Sequence, residues 1–359
     1  MRDVLDDLEA WVARGDRVAL ATVVSVRRSA PRPPGSKMAV NGRGEVSGAV
    51  SGGCVEGAVV SSAERVLTVG EPRHLHFGIA DSDAWDVGLP CGGEIDVFVE
   101  RYEPSGLHGE FAALARNDDR AALVSAIHGT ESMGAKLLVT PGRRPRGALG
   151  DARLEEAAAD HAEALMWSDR AENFEVDGTK LFVDVVGPPP RLFVFGAVDF
   201  AAELCRIARS AGWRPYVIDP RSRFATKARF PDAERVVVAW PDAALRELGG
   251  IDRATYIAVL THDPKLDDAA LVAALASDAS YIGAMGSRRA HAKRRERLLE
   301  AGMTEDQLAR ISAPIGLDLG ALRSEETALS IMSEIVAIRN GREGGRLSNS
   351  SGRIHEVGA

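Results

Sequence analysis

Short apolar segments alternate with helical segments throughout the second half of the chain. Strands are predicted at residues 191–195, 215–219, 235–239, 255–260 and 281–283, and helices at residues 199–211, 264–276, 287–300 and 324–338. Apolar strands that alternate with helices are typical of βαβ units, whose parallel sheet is buried on both faces. The second half is therefore predicted to fold as an α/β domain around a parallel sheet.

The first half has a less regular pattern, which predicts a distinct mixed α+β domain. Strands are predicted at residues 18–26, 37–40, 45–46, 94–100 and 179–186, and helices at residues 4–14, 54–67 and 151–166. Asn41-Gly42 supplies the positive φ that a tight turn between two strands needs. We find no internal repeat of 20–50 residues.

The sharpest boundary in the sequence is the run Gly187-Pro188-Pro189-Pro190. Three consecutive prolines are excluded from the interior of a sheet or a helix, and they stiffen the chain into an extended connector. We therefore predict an N-terminal domain over residues 1–187, a proline linker over 188–190 and a C-terminal domain over 191–340. Residues 341–359 are rich in Gly and Ser and are predicted to form a flexible tail.

Charge and cysteine content indicate which partners and which cellular compartment are expected. The 359 residues carry a formal net charge of −8, which argues against a basic nucleic-acid-binding surface over the whole chain. No apolar run reaches the roughly 18 residues that span a bilayer, and the N-terminus lacks the apolar core of a secretory signal. The odd count of three cysteines predicts a reducing, cytoplasmic location without a disulfide scaffold.

The link between the first strand and helix of the second half resembles a dinucleotide-binding turn. The pattern G-x-G-x-x-G/A is present as Gly-Ala-Val-Asp-Phe-Ala, beginning at Gly196. Asp219 ends the next predicted strand, where an acid binds the ribose of a dinucleotide. Val198 replaces the glycine that lets a pyrophosphate approach the backbone, and Asp199 adds negative charge there. The alternatives are an NAD(P)-dependent oxidoreductase and a Rossmann-like βαβ unit that has lost tight dinucleotide binding.

Two further loops lie at the predicted carboxyl edge of the parallel sheet, where such sheets bind ligands. Thr261 and His262 follow one strand, and a glycine-rich loop with an N-capping serine follows the next. Such a loop at a helix start is a natural cradle for an anion. With Gly196 and Asp219, these loops predict a nucleotide or phosphate site, with a solvated basic helix as the alternative. The candidate residues of the second loop are Gly283, Gly286, Ser287 and Arg288.

Two short motifs in the first half each place a cysteine beside a pair of glycines, with a glutamate nearby. Paired glycines let backbone N–H groups face a ligand, and a helix N-terminus near Cys54 favours the thiolate, a soft metal ligand. The alternatives are two buried small hydrophobic side chains and a thiol redox switch. The spacing does not match a zinc site. The motifs are Gly52-Gly53-Cys54-Val55-Glu56 and Cys91-Gly92-Gly93-Glu94.

A basic loop with several prolines precedes the first motif. In a chain of net charge −8, this concentration of positive charge predicts an anionic partner, whose charge Arg32 and Lys37 would neutralise. A solvated turn is the alternative. Cys205 lies on the apolar face of a predicted helix and is predicted to be a core residue.

The motifs of both halves resemble those of the XdhC/CoxI family of xanthine dehydrogenase accessory proteins. The resemblance covers nearly the whole chain to about residue 340. This chain departs from the family pattern at Val198 and Asp199, where the family usually has glycine and histidine, and at Pro90, where glycine is common. The matching segments are residues 29–38, 51–56, 91–95, 217–221, 261–263, 281–289 and 314–318.

The resemblance implies a Rossmann-type C-terminal domain and a chaperone rather than an enzyme with turnover. On this resemblance, the chain is expected to bind molybdenum cofactor (molybdopterin), to hold it while its sulfido ligand is installed, and to deliver it to a molybdenum hydroxylase apoenzyme. The resemblance also implies a homodimer and a cysteine desulfurase as a further partner. Cys54 and Cys91 are then the expected contacts to the cofactor and its molybdenum, together with their neighbouring glycines and glutamates.

Overall fold

The computed structural model describes residues 1–28, 30–78, 93–129 and 133–349. The chain divides between Pro188 and Pro189 into two compact units, called here the N-terminal unit (1–188) and the C-terminal unit (189–349). None of the described helices is long and apolar enough to cross a membrane.

The N-terminal unit combines helices with antiparallel strands. Its described strands form sheets of order β3-β2-β1-β5-β4 and β8-β7-β6-β10-β9. The helices are α1 (Leu5–Ala13), α2 (Glu56–Val69), α3 (Leu107–Arg116) and α4 (Ala152–Met166). The strands are β1 (Val18–Arg27), β2 (Lys37–Asn41), β3 (Val46–Gly48), β4 (Arg73–Phe77), β5 (Glu94–Arg101), β6 (Ala121–His128), β7 (Lys136–Val139), β8 (Arg146–Ala148), β9 (Glu172–Val176) and β10 (Thr179–Val186).

These two sheets have the same topology. Each follows a helix, α1 or α3, places its first strand at the centre, and connects its third strand to its fourth through α2 or α4. The register matches as well, because Leu20 pairs with Glu100 in the first sheet and Leu123 pairs with Asp184 in the second. The N-terminal unit is therefore an internal duplication, with a first repeat over residues 5–101 and a second repeat over residues 107–186.

The duplication leaves a trace in the sequence at a spacing of 99 residues, longer than the repeats of 20–50 residues that the sequence pattern excludes. A Cβ on Gly48 would lie 2.3 Å from the carbonyl oxygen of Lys37, and a Cβ on Gly147 would lie 2.2 Å from that of Lys136. The same close strand pairing thus requires glycine in both repeats. The recurring residues are Gly35, Lys37 and Gly48 in the first repeat and Gly134, Lys136 and Gly147 in the second.

Two buried ion pairs join the repeats. Lys37 Nζ on β2 lies 2.7 Å from Asp184 Oδ2 on β10, and Lys136 Nζ on β7 lies 2.6 Å from Glu100 Oε2 on β5. Each lysine therefore reaches from its own repeat to a carboxylate of the other, and the side chains of all four are at most 12% exposed. A small apolar cluster drawn from both sheets accompanies the pairs and consists of Val24, Phe98, Ile127 and Phe182.

The C-terminal unit is built around a parallel sheet of order β13-β12-β11-β14-β15-β16. Every described pairing in this sheet is parallel. The strands are β11 (Arg191–Phe195), β12 (Arg214–Ile218), β13 (Arg235–Val237), β14 (Thr255–Val259), β15 (Tyr281–Ala284) and β16 (Ile311–Ser312). The helices are α5 (Asp199–Ser210), α6 (Pro241–Glu247), α7 (Pro264–Leu275), α8 (Arg288–Glu300), α9 (Glu305–Leu308) and α10 (Ser324–Arg339).

Alternate residues of β11 and β14 belong to separate apolar clusters on the two faces of this sheet. The fold class predicted from the sequence is confirmed: the chain has a Rossmann-like parallel α/β unit and a distinct mixed α+β unit. Cys205 on α5 is fully buried, as predicted, and this burial raises the pKa of its thiol to about 12. Ile338, near the end of α10, is 41% exposed.

Candidate functional site

Cys54 lies in a short loop that ends where α2 begins. The helix starts at Glu56, two residues later than the sequence pattern predicts, and Val55 is its N-cap residue. Glu56 accepts hydrogen bonds from the N–H of Ser51 (2.8 Å) and from Ser51 Oγ (2.6 Å), and Ser51 Oγ in turn accepts from the N–H of Cys54 (3.1 Å). Burial opposes ionisation of Glu56, but the bonds from Ser51 outweigh it and lower the pKa of Glu56. The loop is thus closed by its own side chains.

This arrangement leaves the two glycines of the loop available to a ligand. Gly52 and Gly53 are exposed, and their N–H groups have no hydrogen-bond partner among the described residues. Gly53 has a φ of +106°, a conformation that side chains with a Cβ rarely adopt. Cys54 is a half-buried free thiol at the edge of the apolar cluster under α2. Two backbone donors and one sulfur atom therefore lie within three consecutive residues.

The basic loop lies near this cysteine loop, and the start of β5 pairs with the end of the strand that precedes the basic loop. A Cβ on Gly52 would lie 3.8 Å from the ring of Pro31, the neighbour of the exposed Arg32. At the end of β1, Arg27 pairs in register with Glu94, and their side chains form an ion pair of 3.6 Å. Glu94, the glutamate of the second motif, thus lies beside the end of β1, where the basic loop begins. Gly93 is buried, whereas Cys91, Gly92 and Pro90 lie outside the described residues, so a joint site of Cys54 and Cys91 stays a prediction.

The structure places Lys37 inside the fold rather than on the surface. Its side chain is 3% exposed, and its ammonium is bound by Asp184 and by Thr22 Oγ1 at 2.9 Å. The charge of Lys37 is therefore balanced within the N-terminal unit, in contrast to the expectation that it neutralises a ligand. Of the two residues predicted to neutralise the charge of an anionic partner, Arg32 is exposed.

In the C-terminal unit, the ends of β11 and β14 approach each other closely. Gly196 has a φ of +118°, and a Cβ on it would lie 2.3 Å from Thr261 Cγ2. Thr261 is buried and donates a hydrogen bond to the buried Asp267, whereas the neighbouring His262 is exposed. The glycine is thus required by the packing of the two strand ends, independently of any ligand.

Asp219 directly follows β12, which ends at Ile218 rather than at the predicted residue 219, and its carboxylate is fully buried. One oxygen accepts from the N–H of Ala197 (2.8 Å), and Arg221 donates to both oxygens through its side chain (2.6 and 2.9 Å). Burial opposes ionisation, but the bonds from Arg221 and Ala197 lower the pKa of Asp219. Arg229 also pairs with Asp199 and donates to the Ala197 carbonyl. A ribose or a pyrophosphate would have to displace these internal bonds.

The loop between β15 and α8 is only partly the predicted cradle. Gly283 lies within β15, and a Cβ on it would lie 2.5 Å from Ile315, so its role is in packing. Ser287 is the N-cap residue of α8 and accepts from the N–H of Ala290 (3.2 Å). Gly286 precedes this cap at a φ of +131°, and Arg288 is exposed.

The charged side chains that stabilise these loops are not evident from the sequence pattern. Arg294 on α8 is 4% exposed, donates to the carbonyl of Met285 (2.8 Å) and pairs with Asp267 (3.2 Å). Arg221 and Arg229 secure the turn after β11 in the same way. The residue pattern alone does not predict these pairs. Arg294 and Arg229 bind residues that are distant along the chain, and Arg221 lies in a polar loop of ordinary composition.

These contacts predict that the C-terminal unit does not bind NAD(H) or NADP(H) at millimolar concentration. Val198→Gly should leave this result unchanged, because the N–H of Ala197 that a pyrophosphate needs is bound by Asp219. Isothermal titration of both proteins with all four nucleotides measures this directly. Micromolar binding by the unmodified chain would contradict the prediction and revive the oxidoreductase alternative.

Comparison with known proteins bears on both units. The model of the XdhC Rossmann domain matches residues 192–335, and that of the XdhC and CoxI family matches residues 11–78. The chain belongs to the XdhC/CoxI family. The family match in the N-terminal unit falls on the repeat that contains Cys54.

Two relatives of the chain are similar to it over most of their length. It is 28% identical over 338 residues to a Bacillus subtilis protein named as a probable subunit of xanthine dehydrogenase, covering 92% of this chain and 96% of that protein. It is 25% identical over 327 residues to the molybdenum cofactor insertion chaperone PaoD of Escherichia coli, covering 90% and 84%. A solved structure described as a xanthine dehydrogenase from Bacillus halodurans has a TM-score of 0.64 at 24% identity, covering 97% and 98%, and so shares the fold.

Proposed function

We propose that this XdhC/CoxI protein binds molybdenum cofactor as cargo and delivers it to a molybdenum hydroxylase of the xanthine dehydrogenase type. The names of the relatives support this role, since one is an insertion chaperone for this cofactor and another is named after xanthine dehydrogenase. Holding the cofactor during sulfuration, with a cysteine desulfurase as donor partner, belongs to the same proposal. So do a homodimeric state and a cytoplasmic location.

The observation that carries the proposal is the loop from Ser51 to Cys54. It presents a free thiol beside two backbone N–H groups that have no partner among the described residues. A thiolate is a soft ligand for a sulfur-bound metal, and paired N–H groups bind anionic oxygen atoms. The exposed Arg32 next to Pro31 adds positive charge for the phosphate of the cofactor. These residues fit an anionic, metal-bearing pterin.

In this proposal, Glu56 acts through Cys54 rather than on the cargo. Its carboxylate accepts hydrogen bonds from Ser51, and Ser51 Oγ accepts from the N–H of Cys54. The N–H groups of the two glycines are therefore not used to close the loop. Cys91, whose motif follows the family pattern, is proposed as the second thiol contact.

Replacing Cys54 by serine should reduce the retained molybdenum by at least about 10-fold, because a hydroxyl is a poor ligand for a soft metal. The full chain is purified without oxygen from molybdate-fed cells, and molybdenum is measured by mass spectrometry and oxidised pterin by fluorescence. Cys205→Ala is the matched thiol control, since Cys205 is sealed in the core. The proposal fails if neither molybdenum nor pterin copurifies and added cofactor does not bind.

The duplication supplies a second matched control. Glu155 lies 99 residues after Glu56 and accepts from the N–H of Leu149 (2.8 Å) in a loop without a cysteine. Glu56→Gln should lower cofactor retention, whereas Glu155→Gln should leave retention unchanged at a similar loss of stability. Equal loss of cofactor in both variants would show that Glu56 only stabilises the fold.

A further inference from the structure

A cavity of about 480 Å³ opens within the N-terminal unit beside the buried pair of Lys136 and Glu100. This volume lies in the range of small-molecule sites. Pro72, Leu107 and Met133 supply apolar lining on one part of the wall. The cavity lies outside the cysteine loop, and the proposed function makes no use of it.

Polar side chains of both signs line the rest of this cavity. Arg101 and Glu103 are 42% and 56% exposed, and Arg101 Nε lies 3.5 Å from Glu103 Oε1, too far for a strong hydrogen bond. Deeper in the wall, His108 is 4% exposed and lies 3.1 Å from Glu100, whose other oxygen is bound by Lys136. The buried charges are therefore balanced by one another, whereas the pair of Arg101 and Glu103 retains capacity for a ligand.

Comparison of the two repeats shows that the fold does not require these polar residues. By strand register, the counterparts of Arg101 and Glu103 are Val185 and Gly187. Alignment of Leu20 with Leu123 on the central strands makes Leu5, in the first repeat, the counterpart of His108. The ion pair of Lys37 with Asp184 forms there without them.

The position equivalent to Glu103 is closely packed. A Cβ on Gly187 would lie 2.9 Å from the guanidinium of Arg120, which pairs with Asp169. The polar groups Arg101 and Glu103 are thus not required by the shared fold, although residues of both repeats line the cavity.

We propose that this cavity binds a free α-amino acid in its zwitterionic form. Arg101 receives the carboxylate, Glu103 receives the ammonium group, and the side chain of the amino acid lies against Pro72, Leu107 and Met133. A simple anion would face Glu103 and a simple cation would face Arg101, whereas a zwitterion pairs with both. This inference is independent of the proposed cofactor function.

The probe is L-leucine, with N-acetyl-L-leucine and L-leucine methyl ester as analogues that lack one of the two charges. Isothermal titration of the full chain should give a dissociation constant of about 1 mM or tighter for L-leucine. Each analogue should bind at least about 10-fold more weakly, because one charged hydrogen bond is lost. Arg101→Val should weaken L-leucine binding by a similar factor and should fold, because the second repeat has Val185 at this position.

The control variant is Arg235→Val, which removes an arginine from another exposed pair on a strand, with Glu247. It should bind L-leucine as the unmodified chain does. Absence of binding at 20 mM, about 20-fold above the expected constant, would overturn the proposal. Equal binding of the three probes, or unchanged binding by a folded Arg101→Val variant, would overturn it as well.

Discussion

Replacing Lys37 by methionine should lower the free energy of unfolding of the N-terminal unit by about 3–5 kcal/mol. The substitution removes one partner of a buried ion pair and leaves Asp184 without its counter-charge at 9% exposure. Urea unfolding is monitored through hydrogen–deuterium exchange of β2 and β10, which distinguishes unfolding of this unit from unfolding of the C-terminal unit.

The double variant Lys37→Met with Asp184→Leu should recover most of the loss, since an apolar pair of similar volume replaces a buried ion pair at little cost. Lys136→Met tests the equivalent pair of the second repeat. A loss below about 1 kcal/mol for Lys37→Met, as for an exposed ion pair, together with loss of bound cofactor, would instead assign this lysine to the ligand.

The second large effect is a loss of stability in acid that depends on Glu100. Burial would raise the pKa of this carboxyl group, but Lys136 and His108 outweigh it and lower the pKa to about 2. The folded state therefore binds the proton less tightly than the unfolded state. The resulting stabilisation, about 3 kcal/mol, is complete above the ordinary pKa of 4.5 and is lost as the pH falls towards about 2.

Glu100→Gln should accordingly be less stable than the unmodified chain at pH 7 and should approach it near pH 2. Exchange protection of β5 and β7, measured between these values, reports on this unit alone. Parallel pH profiles for the two proteins would show that another carboxyl group controls acid unfolding. The variant is destabilised at neutral pH because Lys136 stays buried without its counter-charge.

The sequence predicted the C-terminal unit well, because local signals determine it. The strands from β11 to β15 are short apolar runs, and each except β12 is followed by a helix. Helices α6 and α9 and the short strand β16 were not predicted. Other differences are small shifts at element ends: β13 ends at Val237 rather than at residue 239, and in the N-terminal unit α2 begins at Glu56 rather than at Cys54. The capping bonds from Ser51 and Glu56 decide the latter boundary, and composition alone does not reveal them.

The N-terminal unit was harder to predict because its organisation is non-local. Strand β6 is an apolar run that a buried helix matches equally well, and its partner β10 lies about 50 residues away. The two repeats share few identities, so a spacing of 99 residues does not stand out. Lys37 appeared to belong to the basic loop because its partner, Asp184, is remote in sequence. The prediction for Cys54 used only residues adjacent to it in sequence, and these residues also contact it in the structure.

The exchange of counter-ions between the repeats also has a consequence during synthesis on the ribosome. Lys37 is translated long before Asp184, so the first repeat emerges with an ammonium group that must stay hydrated until the last strand of the second repeat arrives. A nascent chain cut short between α3 and β10 would expose this unfinished surface, and quality-control proteases would recognise it as incomplete.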